Sequence, residues 1–159
     1  MEMCQPAIRS GGRVLGIDAG ERRVGLALSD ELGLLATPLA VLHRDGGLAS
    51  VMKQISEITT REGVVFVVVG LPLNQDGSAG RQARRAEAFA SIVRRALGLP
   101  VQLWDERLST VEAMARARAI GYSVRRLRER GTLDALAAAV ILQEYLDSRK
   151  CEQIASRGE

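Results

Sequence analysis

The sequence predicts a single α/β domain built on a five-stranded mixed sheet, with the strand order 3-2-1-4-5 and helices on both faces. Two observations support this fold class. Three short apolar segments come first and are separated only by turns, which predicts an antiparallel meander. Later apolar segments alternate with segments of helical periodicity, which predicts parallel strands joined by right-handed crossovers. The chain has 159 residues, a length typical of one domain.

The predicted meander consists of strands at residues 13–18, 24–29 and 34–42, with a turn at 19–23 between the first two. Pro38 lacks an N–H donor, so it is expected to interrupt the third strand. The segment 64–70 (VVFVVVG) is continuously apolar, which is typical of a strand buried on both faces. The remaining predicted elements are a helix at 47–62, a helix that ends near Gly98, a strand at 101–104, a helix at 109–121 and a last helix at 132–147.

The domain is expected to span residues 13–148, with flexible tails at 1–12 and 149–159. No run of 18 apolar residues and no apolar signal segment occurs, so we expect no membrane association and a cytoplasmic location. The two cysteines, Cys4 and Cys151, are expected to be reduced thiols, with a disulfide between subunits as the alternative. A homodimer is left open, because symmetric dimers are common but the sequence indicates no interface.

The basic residues are almost all arginine, which numbers 20 of the 22 lysines and arginines. Arginine binds phosphate through two parallel hydrogen bonds, so clusters at 81–95 and 107–130 are typical of nucleic-acid contact. A solvated surface is the alternative for these clusters. Aromatic residues make up only 3% of the chain, so contact to the nucleic-acid backbone is favoured over base stacking.

Carboxylates follow the predicted strands. Asp18 ends the first strand, Asp105 and Glu106 end the last strand, and Asp134 begins the last helix. Sites in open α/β sheets gather at the carboxyl ends of the strands. A group of carboxylates there needs a cation, and ligands that are all oxygen suit Mg²⁺ or Mn²⁺.

Each of these carboxylates also has a structural interpretation. Asp18 could open the following turn, and Asp134 could stabilise a helix N-terminus. Asp105 or Glu106 could pair with Arg107. Only the joint placement of the carboxylates favours a functional site.

Four motifs occur in order along the chain. They are DAGERRVGLA at 18–27, VGLPLNQDGS at 69–78, DERLST at 105–110 and DALAA at 134–138. Together they closely resemble the YqgF (RuvX) family over roughly residues 13–147. The resemblance implies an RNase H-like fold and a nuclease that processes the 5′ end of precursor 16S ribosomal RNA or resolves Holliday junctions.

The resemblance also implies which residues act. Asp18, Glu106 and Asp134 would be catalytic and bind the metal, with Asp105 as a fourth candidate ligand. Related resolvases carry an acidic residue on the central strand, whereas this strand ends in Gly70 without one, so Glu106 would have to replace it. The residues expected to contact nucleic acid are Gly70, Asn74, Arg107, Thr110, Arg125, Arg126 and Arg128.

Two other classes of function remain. A non-catalytic nucleic-acid-binding module of the same fold would carry the same motifs. An actin-like phosphotransferase also uses a D-x-G hairpin, but it needs two related domains around an ATP cleft, and 159 residues are too few for them.

Overall fold

The computed structural model describes residues 11–106, 115 and 132–158. Eight strands and helices organise these residues. They are β1 (Arg13–Ala19), β2 (Arg23–Ser29), β3 (Ala36–His43), α1 (Leu48–Glu62), β4 (Val64–Leu71), α2 (Arg81–Leu97), β5 (Val101–Asp105) and α3 (Thr132–Arg157). A single 3-10 turn, Arg44–Gly46, links β3 to α1. Both α1 and α2 end at a glycine with left-handed backbone, Gly63 and Gly98, which terminates a helix at little steric cost.

The sheet has the order β3-β2-β1-β4-β5, which confirms the predicted topology. β1, β2 and β3 pair antiparallel, whereas β4 pairs parallel with both β1 and β5. The carboxyl ends of β1, β4 and β5 therefore lie at one edge of the sheet, with β4 in the middle. This edge is where the predicted site was expected.

Side chains of alternate residues of β1 enter two separate cores, as the period of a strand requires. Leu15 and Ile17 pack on the face covered by α1 and α2, in a core that includes Phe89. Val14 packs on the opposite face with residues of α3, including Tyr145. Helices therefore cover both faces of the sheet, as predicted.

Helix α3 lies unusually close to the sheet because two strand residues facing it are glycines. A side chain at Gly16 of β1 would collide with Leu142, and one at Gly25 of β2 would collide with the backbone carbonyl of Asp134. Gly25 is also the pairing partner of Asp18. The close approach at Gly25 therefore brings the start of α3 next to the end of β1.

Two predicted boundaries are wrong. The third strand begins at Ala36 rather than at residue 34, because the Asp30 carboxylate accepts hydrogen bonds from the N–H groups of Leu34 and Leu35 (2.7 and 3.2 Å) and holds them in a turn. Pro38 lies on this edge strand beside an irregularity in the pairing with β2.

The last helix continues to Arg157 rather than ending at residue 147, so residues 149–157 are helical. Polar composition suggested a tail, but polarity does not stop a helix, and no glycine or proline occurs between Thr132 and Arg157. The extension is also anchored, because Arg149 donates to the Tyr145 hydroxyl at 2.8 Å and Lys150 donates to the Leu34 carbonyl at 3.2 Å.

Some predictions lie outside the described residues, including the helix at 109–121 and Cys4. Cys151 is exposed and free. Among the helices that the structure describes, none combines the length and the apolar character that crossing a membrane requires.

Candidate active site

Asp18 and Glu106 meet at the carboxyl edge of the sheet although their strands are not neighbours. Glu106 directly follows β5, and its N–H donates to the Leu71 carbonyl of β4 at 3.1 Å. β4 separates β5 from β1, so the Glu106 side chain must cross β4 to reach Asp18. Gly70 of β4 makes this crossing possible, because any side chain there would collide with the Glu106 carboxylate and with Ile141. The space of the missing central-strand side chain is thus filled by Glu106.

The two carboxyl groups share a hydrogen bond and a proton. The pKa of Asp18 is raised from 3.8 to about 6, chiefly by burial and also by the charge of Asp134, while the hydrogen bond with Glu106 acts in the opposite direction. Burial also raises the pKa of Glu106 from 4.5 to about 8, with smaller contributions from Asp18 and from Asp105. Near neutral pH and without a cation, Glu106 therefore keeps its proton and donates a hydrogen bond to Asp18.

Asp134 lies near this pair, but its carboxylate is paired with an arginine rather than with Asp18 or Glu106. It occupies the first turn of α3, and its carboxylate forms an ion pair with Arg23, whose Nε lies 3.1 Å from Oδ2. Its charge still raises the pKa of Asp18. Among the residues that the structure describes, no three His, Cys, Asp or Glu side chains are gathered closely enough to hold a metal ion. Asp18 and Glu106 are thus brought together, and Asp134 is held just outside the pair.

The donor chemistry of the pair fits a hard divalent cation. Buried carboxylates that repel one another gain most from a positive ion, and Mg²⁺ and Mn²⁺ take oxygen ligands. Asp18 and Glu106 could hold such an ion in place of their shared proton. Asp134 could become a third ligand if it exchanged Arg23 for the ion.

The predicted nucleic-acid contacts fall in different places. Gly70 is buried beneath Glu106. Asn74 is exposed in the loop after β4, where its side-chain amide donates to the Ser78 hydroxyl at 3.0 Å, so it organises that loop. The five remaining residues lie outside the described residues, and their roles stay predictions: Arg107, Thr110, Arg125, Arg126 and Arg128.

A cleft of about 630 Å³ opens beside the carboxylate pair, between the β1–β2 turn and helices α1 and α2. Asp18 and Glu106 contribute to its wall together with three arginines, Arg22, Arg44 and Arg85. Sequence reasoning included Arg85 in the arginine cluster at 81–95 but did not identify this group of three. Arg22 lies within the first motif, which was a usable signal, but no sequence pattern indicates that Arg44 and Arg85 share a cleft.

Comparison with known proteins identifies the family to which the chain belongs. The sequence model of the RuvX family, described as "Holliday junction resolvase", matches residues 12–148. A relative from Anaeromyxobacter sp. (strain Fw109-5), named "Putative pre-16S rRNA nuclease", is 51% identical over 140 residues, which cover 86% of this chain and 98% of the relative. A relative of the same name from Geobacillus kaustophilus is 43% identical over 139 residues, 87% of this chain and 99% of the relative.

Solved structures show the same fold. Thermus thermophilus RuvC in complex with a Holliday junction substrate superposes with a TM-score of 0.53 at 18% identity, covering 87% of this chain and 96% of that chain. A second Thermus thermophilus RuvC structure gives a TM-score of 0.52 at 19% identity. This similarity confirms the RNase H-like fold. With the family match over most of its length, the chain belongs to the RuvX (YqgF) family of nucleases.

Proposed function

We propose that this protein is a divalent-metal-dependent endonuclease in which Asp18, Glu106 and Asp134 form the catalytic site. The observation that carries the proposal is the partly buried, hydrogen-bonded Asp18–Glu106 pair at the carboxyl edge of the sheet, where Glu106 crosses over Gly70. Two acidic groups held in contact at neutral pH destabilise a fold, so their burial is best explained by a function that needs them. Binding Mg²⁺ or Mn²⁺ is that function.

Each carboxylate has a distinct part. Asp18 leaves a strand that is paired on both sides, so it is the least free to move and provides the fixed ligand. Glu106 crosses over Gly70 and closes the pair from β5. Asp134 completes the site by releasing Arg23. The bound ion would supply an activated water and would stabilise charge on the attacking and leaving oxygens of a phosphodiester.

The proposed substrate is structured nucleic acid. The relatives carry the name of a pre-16S rRNA nuclease, the family is described as a Holliday junction resolvase, and the matching RuvC structure contains a Holliday junction. Precursor 16S ribosomal RNA and four-way DNA junctions are therefore the substrates to compare. A cytoplasmic location is part of this proposal, and a homodimer remains open to test by sedimentation with and without reductant.

Cleavage assays with matched variants test the proposal. Purified protein is incubated with a four-way DNA junction, duplex DNA and precursor ribosomal RNA, with Mg²⁺ and with Mn²⁺. Asp18→Asn and Glu106→Gln should each lower the cleavage rate by more than about a hundredfold, since loss of even an outer partner of a metal ligand costs about that much. Glu57→Gln, the same change at an exposed position of α1, should cleave like the unmodified protein.

Nucleic-acid binding should survive in Asp18→Asn, because that change removes a charge that repels phosphate. If Asp18→Asn still cuts at the normal rate, the catalytic site lies elsewhere. If the unmodified protein binds nucleic acid but cuts none of the substrates with either metal, the chain is a non-catalytic binding module.

A further inference from the structure

Three arginines in the cleft have no part in the proposed chemistry. Arg22 comes from the β1–β2 turn, Arg44 follows β3, and Arg85 belongs to α2. The cleft measures about 630 Å³, within the ~300–1,000 Å³ of pockets that hold small molecules. It is therefore large enough to receive part of a nucleic-acid strand beside the carboxylate pair.

Arg44 is held in a fixed orientation. Its guanidinium carbon lies 5.2 Å from the centre of the Phe89 ring. Phe89 is only 3% exposed and belongs to the core between the sheet, α1 and α2, so it forms a rigid support. The ring is covered by Arg44, which makes it unsuitable as a platform for a stacked base. A guanidinium fixed on an aromatic ring has already lost much of its conformational freedom before any ligand binds.

Arg44 also has an unused hydrogen-bond donor. Its Nε is buried and finds no acceptor among the residues that the structure describes. Buried donors in folded proteins are nearly always paired, so this atom would gain a hydrogen bond if an acceptor reached it. The backbone N–H of Arg44 donates to the Arg22 carbonyl at 2.9 Å, which keeps the two arginines adjacent.

The other two arginines can respond to an anion. Arg22 is exposed, and within the described residues its side chain forms neither a hydrogen bond nor an ion pair. Arg85 pairs with Glu21 of the β1–β2 turn, and both side chains are at least half exposed. Exposed ion pairs contribute little to stability, so a phosphate can compete with Glu21 for Arg85.

We propose that Arg22 and Arg44 bind a backbone phosphate of the strand being cut, with Arg85 joining them by leaving Glu21. This inference rests on the proposed function, because a strand whose scissile phosphate lies at Asp18 and Glu106 must continue past that site. The arginine-lined cleft adjoins the pair and offers cationic partners for a neighbouring phosphate. A planar guanidinium can donate two parallel hydrogen bonds to phosphate oxygens, whereas an ammonium group matches this geometry less well.

Salt-dependent binding tests the inference without relying on cleavage. In an Asp18→Asn background, the affinity for a fluorescein-labelled four-way DNA junction and for labelled precursor ribosomal RNA is measured over a series of salt concentrations. Arg22→Gln and Arg44→Met should each weaken binding roughly tenfold. Each should also make the logarithmic salt slope shallower by about 0.7–0.9, the value expected for one lost phosphate contact.

Two controls separate binding from folding and from general charge. Met keeps a long apolar side chain over Phe89, so Arg44→Met removes the charge while preserving most of the packing. Arg95→Gln removes the same charge as the other variants. Arg95 lies about 15 Å further along α2 than Arg85, away from the carboxyl edge of the sheet. Its salt slope should stay unchanged.

Unchanged slopes in both Arg22→Gln and Arg44→Met overturn the inference, and so does a slope change matched by Arg95→Gln. Misfolding cannot account for the Arg22→Gln result, since that side chain is exposed. If the unmodified protein cleaves and the slopes do not change, only the inference fails. If it does not cleave but the slopes become shallower, the proposed function fails and the phosphate site stands.

Discussion

The two faces of the sheet pack against their helices in different ways. On the α1 and α2 face, side chains from strand and helix pack in a mostly aliphatic core, and a cleft opens at the carboxyl edge. On the α3 face, Gly16 and Gly25 let the helix rest directly on the strand backbone. There an aromatic group, Phe66, Trp104 and Tyr145, fills the remaining space.

The two faces therefore contribute different parts of the site. Close packing on the α3 face brings Asp134 near enough for its charge to raise the pKa of Asp18. A small displacement of α3 would therefore separate the two carboxylates. On the other face, a cleft provides room for a ligand, and three arginines line it. Changes on the α3 face should therefore affect both stability and chemistry, whereas changes to the arginines of the cleft should chiefly affect binding.

The largest effect on stability is expected from filling the space at Gly25. In Gly25→Val, the new side chain would collide with the backbone carbonyl of Asp134, so α3 must move away from the sheet. Overpacking of this kind should lower the free energy of unfolding by about 3 kcal/mol. Urea denaturation would measure the loss, and cleavage should fall with it because Asp134 is displaced.

A comparison substitution without a collision is Gly98→Ala, at the residue that ends α2. Gly98 has a positive φ of 64° but open space around its missing side chain. Its replacement should therefore cost only about 1 kcal/mol of backbone strain. Equal losses of unfolding free energy from the two substitutions would show that the collision with the Asp134 carbonyl does not add to the cost of replacing Gly25.

A smaller effect is expected from the buried carboxylate pair. Because folding raises the pKa of Asp18 to about 6 and of Glu106 to about 8, the folded protein binds protons more tightly than the unfolded chain. The resulting stabilisation is fully present below about pH 4 and is lost as the pH rises through 6 and 8. The double variant Asp18→Asn, Glu106→Gln removes this dependence and should therefore be more stable than the metal-free unmodified protein at pH 8.

Thermal unfolding at pH 4, 6 and 8 measures this difference. Saturating Mn²⁺ should stabilise the unmodified protein and leave the double variant almost unchanged, because the ion binds only the folded site. A difference between the two proteins that does not grow with pH would contradict the burial of two interacting carboxylates.

The smallest effect on stability is expected at the Arg23–Asp134 ion pair, which is half exposed. Arg23→Met should change the free energy of unfolding by less than about 1 kcal/mol. It should nevertheless strengthen Mn²⁺ binding, since Asp134 no longer has to leave a guanidinium to reach the ion. Calorimetric titration would measure the affinity, with Arg61→Met as the control because Arg61 forms a comparable surface pair with Glu62. Unchanged or weaker Mn²⁺ binding would argue against Asp134 as a ligand.

Much of the fold was determined by local sequence patterns. The meander, the alternating later elements and the buried run at 64–70 predicted the strand order, because periodicity and turn residues act over short distances. The end of α3 was missed for a related reason: polar residues were taken as a tail although they continue a helix. The carboxylates of the site were also predictable, as they follow strand ends and lie within the family motifs.

What the sequence could not determine is which of these groups meet. Asp18 and Glu106 are brought together because β4 lies between their strands and carries glycine at position 70, a fact that depends on the register of three strands. Arg44 and Phe89 are 45 residues apart in sequence and meet only because α1 and α2 pack on the same face. Sequence alone determined the identity and strand-end placement of the acidic groups, because those follow from local periodicity. Only the tertiary structure decided that two of them share a proton, that the third binds Arg23, and that three arginines line the cleft beside them, because burial and charge proximity arise from contacts between distant segments.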